Sequence, residues 1–198
     1  MAERRMTQAD DNRQALSRRP VIAFTSVRAP YGWLGNMSPY PLAVEALGTC
    51  LLPGTWRTSE ALFQATRFDD ASIHEEIRAC KSPMQVKMIA KQHAARMIVV
   101  PRGPQDLSCM EQVLRLKLAQ HPDLRRQLGK LPTDALIVEN VTTRGVTESN
   151  VFWGAALING EWVGENRLGR LWMDLRHALT PQVDAQIAMF GGGSERNQ

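Results

Sequence analysis

Apolar residues recur at helical spacing along most of the chain, and only a few short stretches have strand character. The segment 56–68 sets the pattern. Thr58 or Ser59 can cap a helix, no Gly or Pro follows, and Ala61, Ala65 and Phe68, with Leu62 beside them, form one apolar side. Glu60, Gln64 and Arg67 fall at i, i+4 and i+7, so a carboxylate, an amide and a guanidinium share a second stripe. A solvated ion-paired face and a ligand-facing stripe both fit that spacing. The carboxylate sits in the first turn, where the helix dipole favours negative charge.

The same reasoning divides the rest of the chain. VIAFTSV from Val21 has strand character, and 42–56 suggests two short strands. Asp69 or Asp70 can open a helix through Ile73 and Ile77. Ser82 followed by Pro83 is a strong start signal for another, with Val86, Ile89, Ala90, His93 and Met97 as its buried stripe. MIVVP suggests a brief strand. Met110, Val113, Leu114 and Leu118 mark a long helix ending near Gln120, and Leu124–Leu128 a short one closed by Gly129. DALIVENVT has strand character and puts Glu139 at or near a strand end. Asn166 can cap a last helix with Leu168, Leu171, Trp172, Leu175 and Leu179 facing the core. The fold class is therefore mainly α with a few short strands, α+β, in one compact domain over residues 21–180. A disordered basic arm over 1–20 precedes it and a flexible tail over 181–198 follows.

Composition narrows the chemistry only slightly. A formal charge of +4 over 198 residues is modest. Half of it lies in residues 1–20, where five Arg outnumber three acids. Cys50, Cys80 and Cys109 show no CxxC or Cys/His spacing, so they are expected to be thiols in a reducing compartment. The four His residues show no metal-binding spacing, so no metal site is expected, and with neither a phosphate loop nor a dinucleotide fingerprint in the chain no cofactor is expected. No apolar run has signal-peptide or membrane-spanning length; the expected location is the cytoplasm, with no membrane partner.

Two aromatic and amide-rich loops stand out. The first carries Trp33 and Asn36, the second Asn150, Trp153 and Gly154. Such loops present flat and hydrogen-bonding groups to ligands, although a Trp can equally pack inward. Lys87 and Lys91, four apart, form either a solvated basic face or an anion site.

GWLGNMSPYPL, WRTSEALFQATRF, SPMQVKMIAK, LKLAQHPDLRRQL with IVEN, NVFWGAAL and WVGENRLGRLWMDLR occur in an order that resembles the NADAR (YbiA-like) family, from about Phe24 to Leu179. The resemblance implies a single mainly α domain that hydrolyses N-glycosidic bonds to ribose phosphate or ADP-ribose. Its substrate would be a small nucleotide or ribosyl compound, either a riboflavin-pathway intermediate or ADP-ribosylated guanine of nucleic acid. Carried over to this chain, it makes Glu60 the carboxylate that stabilises the sugar cation or activates water. Lys87 is the only amine in a matching block and the second catalytic candidate. Trp33, Asn36, Gln64, Arg67, Glu139, Asn150, Trp153, Gly154 and Asn166 become substrate-binding candidates. Four positions depart from the family pattern: Ala61 replaces a His, Arg67 a Lys, Val86 an Ala and Asn150 an Asp. A guanidinium cannot form a Schiff base and an amide cannot act as a general base. The alternative reading is thus a sensor that binds ADP-ribose or a nucleotide without cleaving it.

Overall fold

The computed structural model describes residues 19–46, 50–142 and 145–191, with side chains up to Leu179. The expected basic arm falls almost wholly outside these residues. Among them the chain forms β1 (Val21–Phe24), a 3₁₀ turn (Gly32–Leu34), β2 (Leu42–Val44), β3 (Gly54–Trp56) and α1 (Ser59–Ala65). Next come α2 (Ala71–Ala79), α3 (Pro83–Gln92), a second 3₁₀ turn (Ala94–Arg96), α4 (Pro104–Gln120) and α5 (Pro122–Gly129). β4 (Leu136–Glu139), α6 (Glu148–Trp153), β5 (Ala156–Ile158), β6 (Glu161–Val163) and α7 (Arg167–Gly191) complete it. The fold is α+β: seven helices and three two-stranded sheets among the described residues.

The helices begin where the side chains can satisfy free backbone N–H groups. Thr58 caps α1 by accepting from the Ala61 amide, and Asp70 caps α2 through Ser72 and Ile73. Ser82 and Gln85 close a reciprocal capping box on α3, with Pro83 at the first helical position. α1 packs against β3, α2, α3 and α4, and all seven of its residues are buried. It has no solvated face, so the stripe Glu60–Gln64–Arg67 does not lie on the surface. Trp56, Leu62, Phe63, Phe68, Ile77, Leu114 and Trp172 fill the core around it.

β1 and β4 pair in parallel with Phe24 opposite Glu139, and α7 packs on β4. This pairing brings a strand end 115 positions from Phe24 to the same edge, next to α1.

Two expectations from the sequence are corrected, and one element is added to them. MIVVP forms turns rather than a strand, with Val99 alone buried in the Ile98–Val100 run. Residues 156–163 form a hairpin; Asn159 and Gly160 turn it with φ of 50° and 83°, as an Asn-Gly tight turn requires. Cys50 and Cys109 are joined as a disulfide, Cα–Cα 5.0 Å, leaving Cys80 as the free thiol among the described residues. Their 59-residue separation concealed a neighbour relation that only the folding of the 50-loop onto α4 creates. α7 is described as far as Gly191.

No helix among the described residues is long and apolar enough to cross a membrane.

Candidate active site

A cavity of about 830 Å³ opens where the end of β4, the 35–37 loop, α1, α3 and α6 converge. Its volume is that of a small-molecule site. Of the residues singled out in the sequence, Asn36, Glu60, Gln64, Arg67, Lys87, Glu139, Asn150 and Trp153 line it; Trp33, Gly154 and Asn166 do not.

Glu60 is held by its neighbours on both sides. Its amide donates to the Asn36 carbonyl at 2.9 Å, and its Oε1 accepts from Gln64 Nε2 at 2.9 Å. Gln64 Oε1 in turn accepts from Arg67 Nη1 at 2.9 Å. Arg67 is bound bidentately by Asp106, Nε to Oδ1 at 2.8 Å and Nη2 to Oδ2 at 2.7 Å, and its guanidinium stacks over the Phe63 ring at 4.5 Å. Asp106 is fully buried and also accepts from the Arg102 amide at 2.6 Å. The row Asp106–Arg67–Gln64–Glu60 is a continuous hydrogen-bonded chain in which each link fixes the next. Arg67 is therefore paired with a partner 39 positions away while it lines the cavity. Asp106 was not singled out in the sequence, where no local pattern links it to Arg67.

Glu139 reaches the same cavity from the end of β4. Burial, then the negative charge of Glu60, raise its pKa from the ordinary carboxylate range to about 7, while Lys87 opposes the rise. Its backbone is clamped. Asn166 adopts φ 51°, and its side chain spans β4, donating to the Ile137 carbonyl at 2.7 Å and accepting from the Glu139 amide at 3.2 Å. The Glu139 carbonyl accepts from the Ala155 amide at 2.9 Å. A Cβ on Gly154 would lie 2.3 Å from that carbonyl, so glycine lets the chain pass there. Asn166 and Gly154, expected at the ligand, instead position Glu139.

Trp33 is the inward packing plug, buried edge-on against Trp172 at 6.0 Å. Trp153 stands edge-on to Phe63 at 5.5 Å and forms a wall of the cavity. Asn150 donates to the Gly145 carbonyl at 2.7 Å, which ties the loop before α6 to the helix. Lys87 and Lys91 are exposed on α3 at the cavity wall, one turn apart. Among the described residues no group of three His, Cys, Asp or Glu side chains is placed to hold a metal ion.

Two carboxylates share one cavity, and one of them is pushed toward its protonated form, first by burial and then by the charge of the other, a pairing of the kind that glycosyl-bond hydrolases use. Comparison with known proteins agrees with that class. Residues 23–180 match the model of the NADAR domain, and the chain belongs to that family. It is 33% identical over 159 residues to the N-glycosidase YbiA of Escherichia coli, covering 80% of this chain and 88% of that protein. An N-glycosidase of Nostoc punctiforme is 28% identical over 164 residues, covering 80% and 92% respectively. A riboflavin biosynthesis protein of Vibrio vulnificus is 25% identical over 162 residues, 81% of this chain but 39% of that longer protein. The NMR structure of YbiA from E. coli superposes with a TM-score of 0.64 at 32% identity, covering 82% of this chain and 86% of that one.

Proposed function

We propose that this protein is an N-glycosidase that hydrolyses the C–N bond of an ADP-ribosyl or phosphoribosyl adduct. It is a hydrolase acting on N-glycosyl bonds, and Glu60 and Glu139 perform the chemistry. Breaking the bond leaves positive charge on the sugar and negative charge on the departing nitrogen. Glu139, still partly protonated near neutrality, gives its proton to the leaving nitrogen. Glu60 stabilises the sugar cation and takes a proton from the water that attacks C1. A C–N bond breaks, a C–O bond forms, and the two carboxyls finish with their proton states exchanged, to be reset by solvent. Lys87 and Lys91 meet the phosphate of the substrate, since Arg67 is already paired with Asp106. Asn36 and Trp153 bound the space for sugar and base.

The observation that carries this reading is the raised Glu139 facing Glu60 in one cavity. The replacements Ala61, Arg67 and Asn150 do not weaken it. Arg67 and Asn150 are engaged in structural bonds, and Ala61 is packed in the core. The test is Glu60→Gln against a panel of NAD, ADP-ribose, ADP-ribosylated guanine in DNA and phosphoribosylamino-pyrimidines, with products read by mass spectrometry. Glu60→Gln folds and loses on the order of 10²- to 10⁴-fold in turnover. Release of free base at the wild-type rate would refute the assignment, and an intact ligand that raises the melting temperature would favour the sensor.

A further inference from the structure

Lys117 lies on α4, away from the cavity lining, and the chemistry proposed above makes no use of it. Its side chain is completely buried. Among the described residues no carboxylate pairs with it. Its ammonium donates to the Trp33 carbonyl at 2.6 Å, the Gly35 carbonyl at 3.1 Å and Ser38 Oγ at 2.9 Å. The Tyr40 and Trp172 rings lie 5.2 and 5.7 Å from the nitrogen. Three N–H groups thus meet three oxygens, the full donor capacity of a lysine. Burial without a counter-ion pushes its pKa down to about 7.

What the ammonium holds is the turn that leads into the cavity. Four successive carbonyls of that turn each take an inward donor. Trp33 and Gly35 receive Lys117, Leu34 receives Trp172 Nε1 at 2.8 Å, and Asn36 receives the Glu60 amide at 2.9 Å. Ser38 Oγ closes the turn on itself by donating to the Gly35 carbonyl at 2.6 Å. The carbonyl that seats the first turn of α1 is therefore one residue from a carbonyl gripped by Lys117. Hydrogen bonds to a charged donor are stronger than neutral ones, so the grip is rigid as well as specific.

We infer that Lys117 is a positioning residue of the active site: through the 33–38 turn it fixes the Asn36 carbonyl and hence the placement of Glu60. This inference rests on Glu60 being the catalytic carboxylate. A group of this kind sets the rate of the chemical step more than the affinity for substrate.

The experiment is Lys117→Met, which keeps the length of the side chain and removes the ammonium. In the folded variant kcat falls on the order of 10- to 100-fold, while KM stays within about threefold of wild type. Amide hydrogen exchange, read by NMR without substrate, accelerates at Glu60. A folded Lys117→Met protein with wild-type kcat and slow exchange at Glu60 would overturn the inference, even if its denaturation midpoint drops. If circular dichroism shows Lys117→Met to be unfolded, Ser38→Ala takes its place. It removes one of the three acceptors and leaves the amine; lowered kcat with faster Glu60 exchange supports the inference, and wild-type values of both overturn it. The two readings fail separately. Full turnover in Lys117→Met beside an inactive Glu60→Gln defeats the positioning role alone. If wild type splits no N-glycoside, the exchange measurement still decides whether Lys117 seats Glu60.

Discussion

Replacing Glu139 by Gln should abolish turnover and, at the same time, stabilise the protein at alkaline pH. The folded state lifts this carboxyl from an ordinary 4.5 to about 7. Between those values the folded protein holds a proton that the unfolded chain has released, so stability falls as pH rises from 4.5 to 7. At about 1.4 kcal/mol for each tenfold change in proton affinity, the full penalty above pH 7 is about 3 kcal/mol. The carboxyl is partly exposed to cavity water, so the observable share is smaller, about 1–2 kcal/mol. Gln has nearly the same shape and no charge to bury. Urea denaturation of both proteins at pH 5 and pH 8 provides the assay. The advantage of Glu139→Gln over wild type should be near zero at pH 5 and grow to about 1–2 kcal/mol at pH 8. A difference that does not change between the two pH values would refute the reasoning, because it would show that the carboxyl titrates alike in the folded and unfolded chain.

The pH–rate profile responds to the same electrostatics. Lys87 holds the Glu139 pKa down, so Lys87→Met should move the alkaline limb of kcat, set by loss of the Glu139 proton, to higher pH; an unmoved limb would show that Lys87 does not act on the acid. The Cys50–Cys109 disulfide closes a loop of 59 residues, for which chain entropy suggests about 4 kcal/mol. Cys109→Ser, or reductant, should lower the urea midpoint accordingly, and an unchanged midpoint would mean that the bridge does not restrain the unfolded chain.

What could be read in the sequence was local. The caps Thr58, Asp70 and Ser82, and Pro83 beside the last, act within four residues of the backbone they serve, so their types alone announced α1, α2 and α3. The alternation of Glu60, Gln64 and Arg67 was also visible, but not its environment. A solvated face and a buried stripe have the same spacing, and only the packing of α2, α3 and α4 around α1 distinguishes them. The residues that complete the site act at long range. Asp106 meets Arg67 across 39 positions, Lys117 meets Trp33 across 84, and Asn166 meets Ile137 across 29. No periodicity encodes such pairs. Asn166 was noticed as a helix cap and Gly154 as part of an aromatic and amide-rich loop, but what each meets is the backbone of β4. The hairpin at Asn159–Gly160 is different: its turn signal is local and lay in plain view within a stretch read only for its aromatic and amide content.

The central claim is that Glu60 and Glu139 together split a ribosyl C–N bond with water. Incubating wild type, Glu60→Gln and Glu139→Gln with a phosphoribosylamino-pyrimidine and with ADP-ribosylated guanine in ¹⁸O-water tests it most directly. Wild type should release free base from at least one of them, with ¹⁸O in the sugar product, and both variants should leave the substrate whole. Intact substrates after prolonged incubation with wild type, or equal cleavage by all three proteins, would contradict it.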